Sequence, residues 1–151
     1  MDTVFRFWKT SRQSFLYFFD KYTFDQLNKI PEGFSNNLIW NIGHIIIVQQ
    51  ALIYKNTGLE GYIPGELYSL YKPGTKPTEN TSQQEVDNLK ELLLSLIEKT
   101  QTDYLDKKFG KFNEKTVGTG FYLSSLEDAL EFNNYHEGLH LGYMTNIKKF
   151  V

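Results

Sequence analysis

Four stretches of this chain repeat apolar residues at helical spacing, and each is bounded by residues that start or stop a helix. Val4, Trp8, Phe15, Phe18, Phe19 and Tyr22 mark a first helix over about residues 3–29, closed by Pro31, Glu32 and Gly33. Ser35 is placed to cap a second helix that runs to about Asn56 and stops before Gly58. Ser82 with Glu85 forms a capping box for a third helix, whose stripe runs through Val86, Leu89, Leu93, Leu96, Ile97 and Thr100. Ser124 with Glu127 forms another for a fourth helix that reaches nearly to the C-terminus, and no segment reads as a convincing strand. Four long helices in one domain over residues 1–151 predict an all-α protein, a four-helix bundle.

The connections constrain how the helices are threaded. The first link is short, so helices 1 and 2 are expected to be antiparallel neighbours. The next, Gly58 to Thr81, has 24 residues without a long helical pattern. At ~3.3 Å per extended residue it can run back along a helix of ~33 Å, which permits a crossover with helices 2 and 3 parallel. Loops of this length often act as lids or binding loops, and this one carries Tyr62, Tyr68 and Tyr71. A plain spacer is the competing expectation.

Several function classes are disfavoured. A net charge of −2 gives no basic footprint for nucleic acid. The absence of cysteine removes any disulfide framework or protein thiol nucleophile and leans toward a reducing compartment. Arg6, Lys9 and Arg12 interrupt the apolar N-terminus, unlike a signal peptide. The run from Leu38 to Ile53 is shorter than the ~20 residues a bilayer needs and contains Asn41, His44, Gln49 and Gln50. The expectation is a soluble, cytoplasmic protein with neither a membrane nor a nucleic-acid partner.

Chemistry concentrates on two helices. Residues 136–140 read His-Glu-Gly-Leu-His, a literal HExxH. They lie on a stripe that is apolar at its ends (Leu126, Leu130, Met144, Ile147) and polar in its middle turns, where Asn133, His136, Glu137 and His140 fall. Burying such groups unpaired costs about 1 to 3 kcal/mol each, and a metal ion would compensate them, because imidazoles at i and i+4 share one face. The remaining histidine, His44, sits on the second helix on a face with Asn37, Trp40, Asn41 and Val48. Three histidines from two helices match the ligand count of a catalytic metal site, which keeps a position open. Two unrelated, hydrogen-bonded histidine sites are the alternative. Zinc peptidases usually take a third ligand downstream and lay substrate on a strand edge; no His, Asp or Glu follows His140 here. Glu137 is assigned as a general base, or as an acceptor behind a metal ligand, or as a solvated edge residue.

FSNNLIWNIGHI, YKPGTKP and LSSLEDALEFNNYHEGLHLGYM together resemble the DinB/YfiT-like superfamily, whose members show W-x-x-G-H on helix 2 and H-x-x-x-H-x-G on helix 4. The resemblance covers nearly the whole chain. It implies an up-down-down-up bundle with a long crossover after helix 2, and a divalent metal on His44, His136 and His140 with water completing the site. Asn37 and Trp40 on the face of His44, and Asn133 and Tyr143 on the stripe of His136 and His140, are expected as pocket or supporting residues. Zn or Ni is expected first, with Fe or Mn as alternatives, since neutral imidazoles suit several of these ions. Relatives include transferases and isomerases using small thiols such as bacillithiol or mycothiol. The implied activity is therefore S-transfer, in which a metal-activated thiolate attacks an electrophile. A hydrolase activating water and a non-enzymatic binding domain with a structural or idle metal are the alternatives. Substrate specificity is expected to reside in the crossover loop and the segment 109–123.

A partner is expected as well. Helix 2 is apolar around much of its circumference, from Leu38 and Ile39 through Ile45, Ile46 and Ile47 to Ile53. One bundle contact covers only a stripe, so a homodimer through helix 2 is predicted, unless helix 1 and the crossover bury that surface.

Overall fold

A computed structural model describes residues 2–151. The protein is mostly helical, with long helices α1 (Asp2–Lys21), α3 (Leu38–Ile53), α5 (Gln83–Leu105) and α6 (Leu126–Ile147). Short helices α2 (Phe24–Asn28) and α4 (Gly65–Tyr71) and a hairpin of β1 (Lys115–Thr116) and β2 (Tyr122–Leu123) complete it.

Local chemistry explains where these elements depart from expectation. The first helix was expected to continue to residue 29. It ends at Lys21 because Thr23 and Gln26 start another: Thr23 Oγ1 accepts from the Gln26 amide while Gln26 Oε1 accepts from the Thr23 amide. The second long helix begins after Asn37 rather than after Ser35, since Asn37 Oδ1 accepts from the Trp40 amide at 2.8 Å. Ser82 does cap α5, but its expected partner Glu85 turns its carboxylate to the Tyr71 hydroxyl instead. The cap of α6 is Ser125, one residue beyond Ser124, with Asp128 as the reciprocal acceptor for the Ser124 amide and hydroxyl.

Two segments without expected structure have some. Residues 65–71 of the crossover form α4, and residues 115–123 form an antiparallel hairpin pairing Lys115 with Leu123 and Thr116 with Tyr122. Gly120 takes the left-handed conformation its turn requires, with φ at 89°.

α1 and α3 each pack against both α5 and α6, which encloses one main core. Phe15, Leu38, Ile46, Leu93, Met144 and Ile147 are buried there, each adding about 1.5 to 3 kcal/mol of burial free energy. Among the 16 residues of α3, 14 are buried within the single chain. The apolar residues of this helix that motivated a dimer are thus buried within the single chain, which packs α2, α4, α5 and α6 against it. Only Val48 and Ala51 stay half-exposed, and both face a cavity. No helix among the described residues is long and apolar enough to cross a membrane.

Candidate metal centre

The histidine motif brings its residues together from two helices. His136 and His140 lie one turn apart on α6, and the contact of α3 with α6 sets His44 against both. Ring centroids are 5.3 Å apart for His44 and His136, 4.7 Å for His44 and His140, and 4.7 Å for His136 and His140. One ring nitrogen from each lies within 4.8 Å of the others. His44 and His136 are buried and His140 is half-buried.

Hydrogen bonds fix two of the rings. His44 Nδ1 donates to the Tyr71 carbonyl oxygen at 2.7 Å, and His140 Nδ1 donates to Asn41 Oδ1 at 2.8 Å. Asn41 is oriented in turn by its amide nitrogen, which donates to the Asn37 carbonyl oxygen at 2.7 Å. Protons held at Nδ1 leave the Nε2 lone pairs of His44 and His140 free, the arrangement that orients imidazole ligands in metal sites. His136 differs. Its Nδ1 is buried without a hydrogen-bond partner, an arrangement that costs free energy until something pairs with the ring.

The electrostatics keep all three rings neutral. Burial lowers the pKa of His44 against the opposing pull of the Tyr71 carbonyl. Burial, then the neighbouring His44 and Arg12, bring His136 down to about 4. Burial, then His136 and His44, bring His140 down to about 3. Neutral imidazole is the ligating form, so the donor set fits a divalent cation without first losing protons at neutral pH.

Gly43 and the crossover build the rest of the site. A Cβ at Gly43 would lie 2.4 Å from Cδ1 of Tyr71, so only glycine lets that ring rest on α3. This close approach brings the Tyr71 carbonyl to His44. Trp40 stacks on His44 with centroids 4.7 Å apart and planes at 19°, and its indole nitrogen donates to Thr75 Oγ1 at 3.3 Å. The YKPGTKP segment therefore supplies an acceptor for one ligand and an anchor for the ring beside it.

The other candidate residues lie elsewhere. Asn37 is the cap of α3. Tyr143 is exposed, with its ring 6.3 Å from His140. Asn133 and Glu137 are buried in the protein interior. Glu137 Oε1 accepts from Arg12 Nε at 3.0 Å, from Arg12 Nη2 at 2.8 Å and from Asn133 Nδ2 at 2.8 Å. Both partners of this ion pair are fully buried, so Glu137 is no solvated edge residue and lies outside the three-histidine group. Arg12, which the sequence offered only as a charge in an apolar helix, is the residue that reasoning missed. Asn41 was visible as a polar residue on the face of His44, but nothing marked it as the partner of His140.

A cavity of about 440 Å³ opens beside His44 and His136. Its walls come from Val48 and Leu52 on α3, Phe132 on α6, Tyr68 and Pro73 of the crossover, and residues 115–119 around β1.

A family model described as DinB superfamily matches residues 8–144. The span includes Arg12, the three histidines, the crossover and the hairpin. No curated protein sequence matches the chain.

Proposed function

Because the chain belongs to the DinB superfamily, we propose that it is a metal-dependent enzyme of the small-thiol S-transferase type, built on a four-helix bundle of up-down-down-up order. His44, His136 and His140 hold a divalent ion, Zn or Ni first. The observation that carries this reading is the convergence of the three histidines, one ring nitrogen from each within 4.8 Å of the others, with Nδ1 of His44 and of His140 already engaged elsewhere. A cation held there supplies Lewis acidity, lowering the pKa of an incoming thiol or of water.

The chain's own residues bind and orient. Tyr71 and Asn41 hold the His44 and His140 tautomers, so both rings present lone pairs inward. Trp40 covers one face of His44 and limits water on that side. With no cysteine in the chain, the thiol must enter from outside, and the cavity beside His44 and His136 lies within the ~300–1,000 Å³ range of small-molecule sites. Glu137 Oε1 is held by Arg12 and Asn133 in the interior, outside the three-histidine group, so the proton of an incoming thiol is given to solvent rather than to this carboxylate.

The test is elemental analysis of untagged protein beside His44→Ala, His136→Ala and His140→Ala, followed by thiol-transfer assays on the loaded parent. Near-stoichiometric metal that falls sharply in every variant is expected. Metal lost from the α6 variants alone would separate His44 from the site. A parent that stays empty after incubation with Zn, Ni and Mn would end the metal reading.

A further inference from the structure

The cavity beside the histidines carries a charge pattern that metal binding does not use. Lys55, on the short 3₁₀ turn after α3, and Lys115, on β1, both line it, and no aspartate or glutamate does. The ion pairs among the described residues use Arg12, Lys90 and Lys108, so neither lining lysine is neutralised by a carboxylate. Glu114, next to Lys115 in sequence, accepts instead from the Tyr122 hydroxyl across the hairpin. The chain as a whole is net negative, at −2. Two unpaired lysines from distant parts of the sequence, facing one cavity without an acid, are therefore a local reversal of the molecule's charge.

The remaining walls are of a different kind. Val48, Leu52, Val117 and Phe132 are apolar, and His44 and His136 belong to the metal centre. A ligand filling such a space meets cationic groups, then hydrocarbon, then the histidines. Both lysines are solvent-exposed, so each supplies a modest attraction for an anion, while the apolar walls supply the contact area for a hydrocarbon body. A cation at the histidines would add positive charge and repel a basic ligand.

We propose that this cavity binds a small organic acid, with its carboxylate at Lys55 and Lys115, its apolar body against Leu52, Val117 and Phe132, and its other end toward His44 and His136. The proposal rests on the metal reading for which end of the ligand is the reacting one. The lysine subsite itself is built from other residues.

Titration calorimetry and amide NMR shifts with hexanoate, 1-hexanol and hexylamine test this, on metal-loaded protein and on protein stripped with chelator. Hexanoate should bind and shift amides around residues 48–55 and 115–119 in both forms, more tightly than 1-hexanol, and hexylamine should not bind. Lys55→Gln and Lys115→Gln should each weaken hexanoate about threefold and together about tenfold, as expected for exposed charge contacts, with metal content at the parent level. Hexanoate affinity unchanged in the double variant, or hexylamine binding as tightly as hexanoate, overturns the proposal. Inorganic phosphate that displaces hexanoate at equal concentration overturns its organic half. Protein that takes up no metal yet binds hexanoate through both lysines removes the metal reading and leaves the acid subsite standing.

Discussion

Arg12 reaches from α1 to the other three long helices at once. Its guanidinium donates to the Leu93 carbonyl of α5 at 3.3 Å, to the Ile45 carbonyl of α3 at 3.4 Å and to Glu137 of α6 at 2.8 Å. A fully buried charge survives only when paired and hydrogen-bonded, and removing one partner strands the other. Ile45 and Glu137 each adjoin a candidate ligand in sequence, so this ion pair ties together the two helices that carry the histidines. Glu137→Gln keeps the shape of the side chain while leaving Arg12 without a counterion. The expected loss is about 3 kcal/mol, the low end for a broken buried pair, or roughly 6 to 12 °C in Tm for a domain of this size. Metal stoichiometry should stay at the parent value. Calorimetry, elemental analysis and a thiol-transfer assay on the same sample decide the matter: an unchanged Tm with lost turnover would return Glu137 to the role of a base.

α3 and the crossover that follows it together form the wall that carries His44, and Gly43 is where they meet. Gly43→Ala would drive a methyl into the buried ring of Tyr71, whose hydroxyl is held by Glu85. Overpacking of this kind costs ~1 to 3 kcal/mol, partly offset by the better helix propensity of alanine. Displacing Tyr71 also withdraws the carbonyl that orients His44, so metal affinity should fall by about 10- to 100-fold, the usual effect of losing such a partner. Competition with a chromogenic chelator measures it; affinity unchanged in a folded variant would show that the Tyr71 carbonyl does not orient the ligand. This pairing marks the limit of what residue types disclose. The long helices were legible because their stripes are periodic, and the three histidines because they are the only ones in the chain; of the expected caps only Ser82 stands where it was placed, since neighbouring Ser and Asn residues offer the same oxygen one or two positions apart. The His44 acceptor was not, since a backbone carbonyl carries no side-chain signature. Arg12 reads on its own as a solvated charge until Glu137, 125 residues away, is placed beside it. The break after Lys21 escaped notice because apolar residues continue at helical spacing through Tyr22, although Thr23 and Gln26 form a capping box. The hairpin strands are two residues each, too short for alternation to show.

Across the whole molecule, the crossover is held at two places along α5. Near one end of α5 the Tyr71 hydroxyl meets Glu85, and near the other Asp103 accepts from Tyr54 at 2.7 Å, from Tyr62 at 2.8 Å and from Lys108 at 2.6 Å. Tyr68 and Pro73, which wall the cavity, lie on the crossover between Tyr62 and the start of α5. These anchors favour a fixed wall over a free lid, and they make a pH signature. Burial, despite the opposing Thr100 hydroxyl and together with the Asp103 carboxylate, raises the Tyr54 phenol well above its ordinary value. An unfolded tyrosine ionises near pH ~10. Above that pH the unfolded chain has released a proton that the folded chain still holds at Tyr54. Stability linked to this group is therefore complete below pH ~10 and declines as pH rises toward the folded pKa, by about 1.4 kcal/mol per pH unit. The raised Lys108 and Tyr62 act with the same sign, so the wild-type slope alone does not isolate Tyr54. Urea unfolding between pH 9 and 11.5 should show Tyr54→Phe starting less stable and declining less steeply, by up to that amount per unit. Parallel declines in the two proteins would mean that the phenol is not protected by the fold, and that the Asp103 contact does not hold the end of α3 against α5 in solution.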